Sequence, residues 1–449
     1  METAAPATLD IAHVRAQFPS LAQTVNGHPP VFLDGPGGTQ VPQRVIDAIS
    51  NYLRRDNANT GGAYSTSRHT DAMLAEARAA MADFLNCTAD EIVFGPNMTT
   101  LTYAMSRAIG RDLGPGDEIL VTRLDHDANV SPWLALEEKG VTIRWAEIHE
   151  ENCTLDLADL ASKLNHRTKL VAVGYASNAV GTINPVKTIV RLAHAAGALA
   201  YVDAVHYGPH GLIDVAALDC DFLVCSTYKF FGPHMGVLFG KREHLARLCP
   251  YKVRPLTDAV PNRWEWGTLN HESIAGITAC VDYIADLGRH SLTHVATAAQ
   301  ACPEHSRRGC RSSEARPSGA NTRRAAIVAA FEAIHQHEHG LTDRLITGLW
   351  QIPNIKIYGI TDPARFAERC PTLALRVVNQ TADQTPLALA TKLGDLGFFT
   401  WDGNYYALNL TEHLDVEKTG GFLRIGLVHY NTAEEVDRLL SALGQIVTA

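Results

Sequence analysis

The segment Asp221-Phe222-Leu223-Val224-Cys225-Ser226-Thr227-Tyr228-Lys229-Phe230-Phe231-Gly232-Pro233 joins a short apolar run to a polar turn. The run from Asp221 to Cys225 predicts a buried strand, and Gly232-Pro233 predicts a turn just beyond it. Lys229 is therefore expected where a parallel strand ends, at the edge on which open α/β sheets bind their ligands. Taken alone, the lysine is better explained as a solvated surface residue.

A second apolar run ends in a carboxylate. Leu199-Ala200-Tyr201-Val202-Asp203 predicts another strand, and Ala204-Val205-His206 follows it. A lysine that can form a Schiff base and an aspartate that can pair with a pyridinium nitrogen are what pyridoxal phosphate (PLP) requires of a protein. Lys229 and Asp203 thus make PLP chemistry the hypothesis against which the rest of the chain is interpreted.

Composition limits the class of protein. The chain has 449 residues, 46% of them hydrophobic, enough for a large core in two domains or in one domain with a sizeable appendage. The net charge of -9 gives no reason to expect nucleic acid as a partner, and no apolar run approaches the ~20 residues of a membrane span. The amino terminus lacks the pattern of a signal peptide, and the nine cysteines form no CxxC pairs. We therefore expect a cytoplasmic protein with reduced thiols.

Strand-like and helix-like segments alternate from about residue 31 to residue 240, a pattern that predicts a mostly parallel sheet covered by helices. The predicted strands include Ile92-Val93-Phe94, Ile119-Leu120-Val121, Thr142 to Trp145 and Leu170 to Val173, and the predicted helices include Asp71 to Leu85 and Pro185 to Ala196. We predict a large domain over residues 31–270. A smaller C-terminal α/β domain is expected over residues 271–449, together with residues 1–30.

A polar stretch interrupts the C-terminal part at about residues 297–320. It is basic, rich in Ser, Pro and Gly, and nearly free of large apolar side chains. It lies between a predicted helix from Glu272 to Leu287 and one that resumes near Asn321. Because such a segment cannot offset the entropy of its own ordering, we predict a flexible surface insertion. A binding site for an acidic partner is the alternative.

Two polar turns follow predicted strands. The turn Asn97-Met98-Thr99-Thr100 opens a helix, so it can bind an anion at the helix N-terminus, or it is a plain N-cap. His126 follows another strand, where its ring can lie against an aromatic cofactor and take part in proton transfer. A loop histidine that caps a helix is the alternative for His126.

Two further residues offer polar contacts. Asn178, in Ser177 to Thr182, has an amide suited to a phenolate oxygen, although a turn needs no cofactor to explain it. Arg424 lies in the apolar run Phe422 to Leu427, where its guanidinium matches a carboxylate bidentately. A substrate carboxylate and a structural salt bridge are equal explanations for Arg424.

Two other signals indicate no site. His335, His337 and His339 alternate at the end of a helix, so that His335 and His339 share a face, and we predict no metal site there. The run Gly35-Pro36-Gly37-Gly38 lacks the spacing of either nucleotide-binding glycine motif.

Taken in order, these segments resemble the class V aminotransferase family of PLP enzymes, and within it the cysteine desulfurase-like branch. The resemblance covers nearly the whole chain apart from its amino-terminal end and the insertion. It implies an α/β fold of PLP fold-type I, similar to aspartate aminotransferase. It also implies pyridoxal 5'-phosphate as the cofactor and an amino acid as the substrate.

The resemblance assigns roles by position. Lys229 matches the Schiff-base lysine, Asp203 the partner of the pyridine nitrogen, and His126 the histidine that stacks on the ring; these three are the implied catalytic residues. The other implied cofactor contacts are Met98 and Thr99 at the phosphate turn, Ser226 and Tyr228 at the phosphate, and Asn178 and His206 on the phenolic side, where His206 replaces a glutamine.

Substrate and subunit contacts are implied in the same way. Arg424 matches the arginine that holds the substrate carboxylate, and Gly37 and Gly38 belong to a loop similar to the one that lines the substrate site. Gly267-Thr268 resembles the segment that reaches the phosphate of the neighbouring subunit. The resemblance thus implies a homodimer with shared active sites.

One departure changes the expected reaction. Desulfurases of this type carry a mobile cysteine that accepts sulfur, and the corresponding stretch here is Trp401-Asp402-Gly403-Asn404-Tyr405-Tyr406-Ala407, with Tyr406 at the cysteine position. Cys370 is the nearest substitute, but it precedes the predicted strand Thr372 to Val377. We therefore expect cleavage of a carbon–sulfur bond in a cysteine-like substrate by β-elimination. Epimerisation, transamination and a binding protein without catalysis are the alternatives.

Overall fold

The computed structural model describes residues 9–300 and 322–448, so most of the predicted insertion at 297–320 lies outside the described residues. The strands in these ranges are β1 (Val31–Phe32), β2 (Ile92–Gly95), β3 (Glu118–Thr122), β4 (Thr142–Ala146), β5 (Ile148–His149), β6 (Thr154–Leu155), β7 (Thr168–Gly174), β8 (Leu199–Asp203), β9 (Phe222–Ser226), β10 (Gly236–Gly240), β11 (Ile355–Tyr358), β12 (Thr372–Val377), β13 (Phe398–Phe399), β14 (Trp401–Gly403) and β15 (Phe422–Gly426).

The helices pack against the central sheet and the C-terminal sheet. They are α1 (Ile11–Ala16), α2 (Gln43–Arg55), α3 (Ser65–Leu85), α4 (Met98–Ile109), α5 (Ser131–Leu134), α6 (Leu157–Lys163), α7 (Val186–Ala195), α8 (Val215–Leu218), α9 (Arg242–Arg247), α10 (His271–Gln300), α11 (Arg323–Leu349), α12 (Pro386–Asp395), α13 (Leu408–His413) and α14 (Ala433–Thr448). No helix in the described ranges has the length and apolar character needed to cross a membrane.

The central sheet has seven strands in the order β2-β10-β9-β8-β7-β3-β4. Its strand pairs are parallel except that β10 runs antiparallel to both β2 and β9. Strands β2, β3, β9 and β10 are buried at every residue, as expected where helices cover both faces of a sheet. The prediction of a mostly parallel α/β sheet is confirmed.

Polar residues follow these strands at one edge of the sheet. Asp203 is the last residue of β8, Lys229 lies in the turn after β9, and His126 and Asn178 follow β3 and β7. Met98 begins α4 just after β2. Because the carboxyl ends of parallel strands meet at one edge, the fold places these five residues together.

A second sheet, with strand order β11-β12-β15-β14, forms the C-terminal part and is antiparallel throughout. Its core includes side chains from α11, α12 and α14. Two contacts cross the predicted division into residues 31–270 and 271–449. Strand β1 pairs with β13, so Val31 and Leu33 lie in the C-terminal core, while α10 packs against α2 and α3.

Candidate active site

A cavity of about 530 Å³ lies at the carboxyl edge of the central sheet, where the C-terminal sheet faces it. The predicted site residues that line it are Gly37, Met98, Thr99, His126, Asn178, Asp203, His206, Tyr228, Lys229 and Arg424. Two others lie directly behind this wall. The hydroxyl of Ser226 accepts a hydrogen bond from the Met98 N–H at 3.1 Å, and Gly38 lies against the Tyr228 ring.

Two predicted residues lie elsewhere in the chain. Gly267 and Thr268 border two other cavities and do not line the one that contains Lys229. Their predicted contact is with a neighbouring subunit, and that contact stays a prediction.

Lys229 is a half-buried amine facing the cavity. Its Nζ donates a hydrogen bond to the Pro36 carbonyl and lies 4.9 Å from the centre of the Tyr228 ring. Burial, followed by the positive charge of Arg424, lowers the lysine pKa to about 7, against the opposing effects of Asp203 and Asp34. A large share of Lys229 is therefore neutral near pH 7, which a nucleophilic or basic amine requires.

Asp203 is a buried carboxylate on the floor of the cavity. Its Oδ1 accepts a hydrogen bond from the Val205 N–H at 2.9 Å. Burial raises its pKa to about 6, while this hydrogen bond and the Lys229 charge oppose the rise. A cationic group in the cavity next to Asp203 would lower the pKa again, because an opposite charge favours the ionised form.

A second buried carboxylate, Asp125, also lines the cavity and was missed by the sequence analysis as a site residue. It accepts hydrogen bonds from the Gly174 N–H at 2.5 Å and from the Asn129 amide at 3.3 Å. Burial raises its pKa well above the usual range, and the negative charge of Asp203 adds to the rise. Burial and the charge of Asp203 thus both favour the protonated form of Asp125.

His126 caps a short turn and also faces the cavity. Its Nδ1 accepts a hydrogen bond from the Ala128 N–H at 3.0 Å, so it caps the short turn that follows. Its ring also lines the cavity and stacks on Tyr406, with ring centres 5.5 Å apart. Burial, with Lys229 and Arg424 adding to it, lowers the His126 pKa to about 4. The ring is therefore neutral at pH 7, with its proton on Nε2.

The turn Asn97 to Thr100 caps a helix and also faces the cavity. Asn97 caps α4 through a hydrogen bond from the Thr100 N–H at 2.8 Å, as a plain N-cap does. The next two residues, Met98 and Thr99, line the cavity at the N-terminus of this helix of 12 residues. The positive end of the helix dipole therefore faces the cavity, where it favours a phosphate group.

Arg424, in β15, crosses from the C-terminal sheet into the cavity. Its guanidinium donates to the Asn178 carbonyl at 2.9 Å and lies 4.0 Å from the centre of the Tyr405 ring. Its buried Nε has no hydrogen-bond partner, and Arg424 forms no ion pair within the described ranges. Burial lowers its pKa only to about 10, so it stays charged at pH 7. The structure favours a carboxylate ligand over the structural salt bridge.

Tyr405 and Tyr406 hold an unusual backbone conformation beside the cavity. Both have positive φ, 55° and 59°, which side chains of this size rarely adopt. Hydrogen bonds fix the pair: the Tyr405 carbonyl accepts from the Asn178 amide at 2.9 Å, and the Tyr406 carbonyl accepts from the Asp127 N–H at 2.7 Å. Conformational strain of this kind is concentrated at functional sites.

Two further residues lie in or near this wall. Trp401 lines the cavity, and Asp34 lies close enough to Arg424 and Lys229 for their charges to lower its pKa. Burial outweighs that effect and raises the Asp34 pKa to about 6. The sequence alone does not show that the side chains of Asp34 and Trp401 belong to the site. The pairing of β1 with β13 and of β14 with β15 shows it.

Cysteine is absent from the cavity wall in the described ranges. Tyr406, at the predicted cysteine position, does line it and is 72% exposed. Cys370 is buried just before β12, as predicted, and does not line the cavity. Burial raises the Cys370 pKa well above its usual range, so this thiol is not an activated nucleophile.

The sequence matches the family model described as aminotransferase class-V over residues 31–307 and 323–439. It is 31% identical to a cysteine desulfurase of Pectobacterium atrosepticum, covering 97% of this chain and 98% of that protein. An aminotransferase-like protein of Gibberella zeae is also 31% identical, with coverage of 98% and 99%.

The fold is similar to that of a cysteine desulfurase from Thermococcus onnurineus. The TM-score is 0.80 at 24% identity, and the similarity covers 98% of each chain. Together with the match along most of the sequence, the fold and the placement of the predicted residues lead to one assignment. The chain belongs to the class V aminotransferase family.

Proposed function

We propose that the protein is a PLP-dependent lyase that cleaves the carbon–sulfur bond of a cysteine-like amino acid by β-elimination. The observation that carries the proposal is a cavity that combines Lys229, Asp203 and Arg424 with Tyr406 in place of a thiol. Relatives named cysteine desulfurase support a sulfur-containing substrate. A homodimer with shared sites is part of the proposal, because Gly267 and Thr268 lie away from their own chain's cavity.

The polar groups of the cavity fit PLP at three points. The N-terminus of α4 with Thr99 and Ser226 would hold the phosphate, and Asp203 would hold the ring nitrogen. On the phenolic side, the buried Oδ1 of Asn178 has no partner in the described ranges. Buried polar atoms are seldom left unpaired in a folded protein, so a ligand is expected there.

When bound, PLP supplies an electron-withdrawing ring that stabilises negative charge at the substrate Cα. Lys229 accepts the Cα proton on Nζ, for which its lowered pKa suits it near pH 7. Arg424 binds the substrate carboxylate through its free Nε and its remaining donors. The buried charge of Asp203 keeps the ring nitrogen protonated, and the neutral His126 limits the tilt of the ring.

The fate of the sulfur distinguishes elimination from desulfuration. In desulfuration an enzyme thiolate takes the sulfur and the carbon skeleton leaves as alanine. The Tyr406 oxygen cannot store sulfane sulfur. Hydrogen bonds accepted by the Tyr405 and Tyr406 carbonyls also hold this loop in place. In β-elimination the Cα proton goes to Lys229, the Cβ–S bond breaks and the sulfur leaves with the bonding pair. One water is consumed overall, and cysteine yields sulfide, pyruvate and ammonia without any oxidant or reductant.

The product assay tests this proposal. Purified enzyme given L-cysteine is expected to form pyruvate and sulfide in equal amounts, with no protein-bound persulfide after turnover. Alanine formed in step with sulfide, with a persulfide on any cysteine, would instead establish desulfuration. Formation of D-cysteine, or of a keto acid that depends on an added amino acceptor, would establish epimerisation or transamination.

Replacing Arg424 with lysine is expected to raise KM for the amino acid by about 10- to 100-fold, with a smaller effect on kcat. A hydrogen bond to a charged group contributes about 1.5–3 kcal/mol, and lysine cannot reproduce the planar contact. Arg376→Lys, on the adjacent strand β12 and outside the cavity, is the matched control. An unchanged KM in Arg424→Lys would remove Arg424 from substrate binding.

A further inference from the structure

Behind the active site lies a second cavity of about 670 Å³, bordered by α11 and by the segment before β12. The wall between the two cavities contains His206, which lines the first, and His210 and Cys370, which line the second. All three side chains are buried, with 4%, 5% and 1% of their surface exposed. The wall between the two cavities therefore contains three side chains of types that bind metals.

The three side chains converge. One ring nitrogen of His206, one of His210 and the Sγ of Cys370 all lie within 4.8 Å of one another. The Nε2 atoms of both histidines are buried and have no hydrogen-bond partner in the described ranges. Two adjacent imidazoles with unpaired nitrogens are costly in a core unless a ligand satisfies them.

Glu338, on α11, supports this arrangement from the far side. Its Oε2 lies 2.9 Å from the Nδ1 of His210, and only 3% of the residue is exposed. A carboxylate on one ring nitrogen fixes the tautomer that leaves the other nitrogen free for a metal, a pairing that metal-bound histidines show almost always. The second carboxylate oxygen of Glu338, Oε1, is buried without a partner.

We propose that His206, His210 and Cys370 bind a zinc ion, with Glu338 orienting His210 and a water from the second cavity in the fourth position. Nitrogen and sulfur ligands in this combination suit Zn²⁺ and exclude the oxygen-binding Mg²⁺ and Ca²⁺. The charges balance, because the Cys370 thiolate and the Glu338 carboxylate offset the dication. On binding, the thiol proton passes to solvent and no electron is transferred.

The distances require a small movement. Zinc–nitrogen bonds of about 2.0 Å and zinc–sulfur bonds of about 2.3 Å place tetrahedral ligand atoms roughly 3.3–3.8 Å apart. The present separations of up to 4.8 Å therefore close by about 1 Å. The side chains of His206 and His210 can rotate to shorten these distances, because their Nε2 atoms have no competing hydrogen bond.

No sequence pattern indicates this site. His206 and His210 follow β8, Glu338 lies on α11 and Cys370 precedes β12, so only the packing of the two sheets joins them. His335, His337 and His339 on α11 are the histidines for which no metal site was predicted. The adjacent Glu338 is the residue that faces the cluster. The zinc site does not depend on the proposed lyase activity.

The test uses the purified holoenzyme, stripped with a chelator and reloaded with zinc chloride. After gel filtration we expect one zinc per chain in the wild type by elemental analysis. The variants Cys370→Ser and His210→Gln should each lose it, while Cys280→Ser retains it, since the buried Cys280 sulfur contacts the Phe230 carbonyl. Near-ultraviolet circular dichroism and the cofactor spectrum show whether each variant is folded.

A second measurement replaces zinc with cobalt. Cobalt chloride in place of zinc should give thiolate-to-cobalt charge-transfer absorption together with the visible bands of a tetrahedral site. The same bands should be absent from Cys370→Ser and present in Cys280→Ser. Zinc retained equally by Cys370→Ser, or a wild type without the cobalt bands, would overturn the proposal.

Discussion

Lys229→Ala is expected to lower kcat with L-cysteine by about 10²- to 10⁴-fold, the range that loss of a positioned acid or base produces. The amine lies half-buried in the cavity, close to Asp203, Asp34 and Arg424, and burial lowers its pKa to about 7. An alanine leaves no group at that point to accept the Cα proton. The phosphate turn and Asp203 are unchanged in the variant, so cofactor binding should persist at reduced affinity.

Two measurements check this expectation. Borohydride reduction of the yellow wild-type protein should attach the cofactor covalently, and peptide mapping should find it on Lys229. Lys392→Ala, a change on the exposed face of α12, is the control and should keep full activity and labelling. A label on another lysine, or near-normal turnover by Lys229→Ala, would refute the assignment.

The pH dependence of cofactor attachment follows from the same pKa. The reactive form of Lys229 is the neutral amine, and its fraction increases as pH rises through about 7. Attachment of PLP to the cofactor-free protein should therefore accelerate from pH 5.5 to about 7 and level off above it. An unperturbed lysine would keep accelerating up to a pH of ~10. Stopped-flow absorbance over this range distinguishes the two cases.

Local sequence patterns predicted the strands that build the floor of the site. Strand β8 has the predicted bounds, Leu199 to Asp203, and β9 differs from the prediction by one residue at each end. Such agreement is expected where an apolar run is buried on both faces and ends in polar residues. Lys229, Asp203, His126 and Arg424, which were singled out in the sequence, all line one cavity.

The sequence did not predict the contacts between segments that lie far apart along the chain. Asp125 precedes His126, yet only the fold shows that it shares the cavity with Asp203 and that burial, with Asp203 adding to it, raises its pKa. The Tyr405–Tyr406 pair depends on hydrogen bonds to Asn178 and Asp127, more than two hundred residues earlier. These features carry no periodicity, and no local propensity marks a left-handed tyrosine.

Asp203→Asn is expected to lower kcat by about 10²- to 10³-fold, the cost of losing a charge aimed at a reacting group, while PLP affinity changes little. The amide keeps the shape and the hydrogen bond from the Val205 N–H, but it holds no charge opposite a protonated ring nitrogen. Titration with PLP, followed by absorbance, separates affinity from turnover. Near wild-type kcat in Asp203→Asn would show that the reaction does not use this charge.

Asp125→Asn provides the matched comparison, because it changes a neighbouring carboxyl whose protonated form burial and Asp203 favour. Asp125→Asn should lower kcat far less than Asp203→Asn does. Equal losses in the two variants would mean that the two carboxyls share the charge.

Folding stability gives an independent readout of the charge on Asp203. Burial raises the Asp203 pKa from 3.8 to about 6, so folding stability of the cofactor-free protein declines as pH rises through that window. Above pH 6 cofactor-free Asp203→Asn should therefore melt at or above the wild-type temperature, and the difference should vanish below pH 4, where both states are protonated.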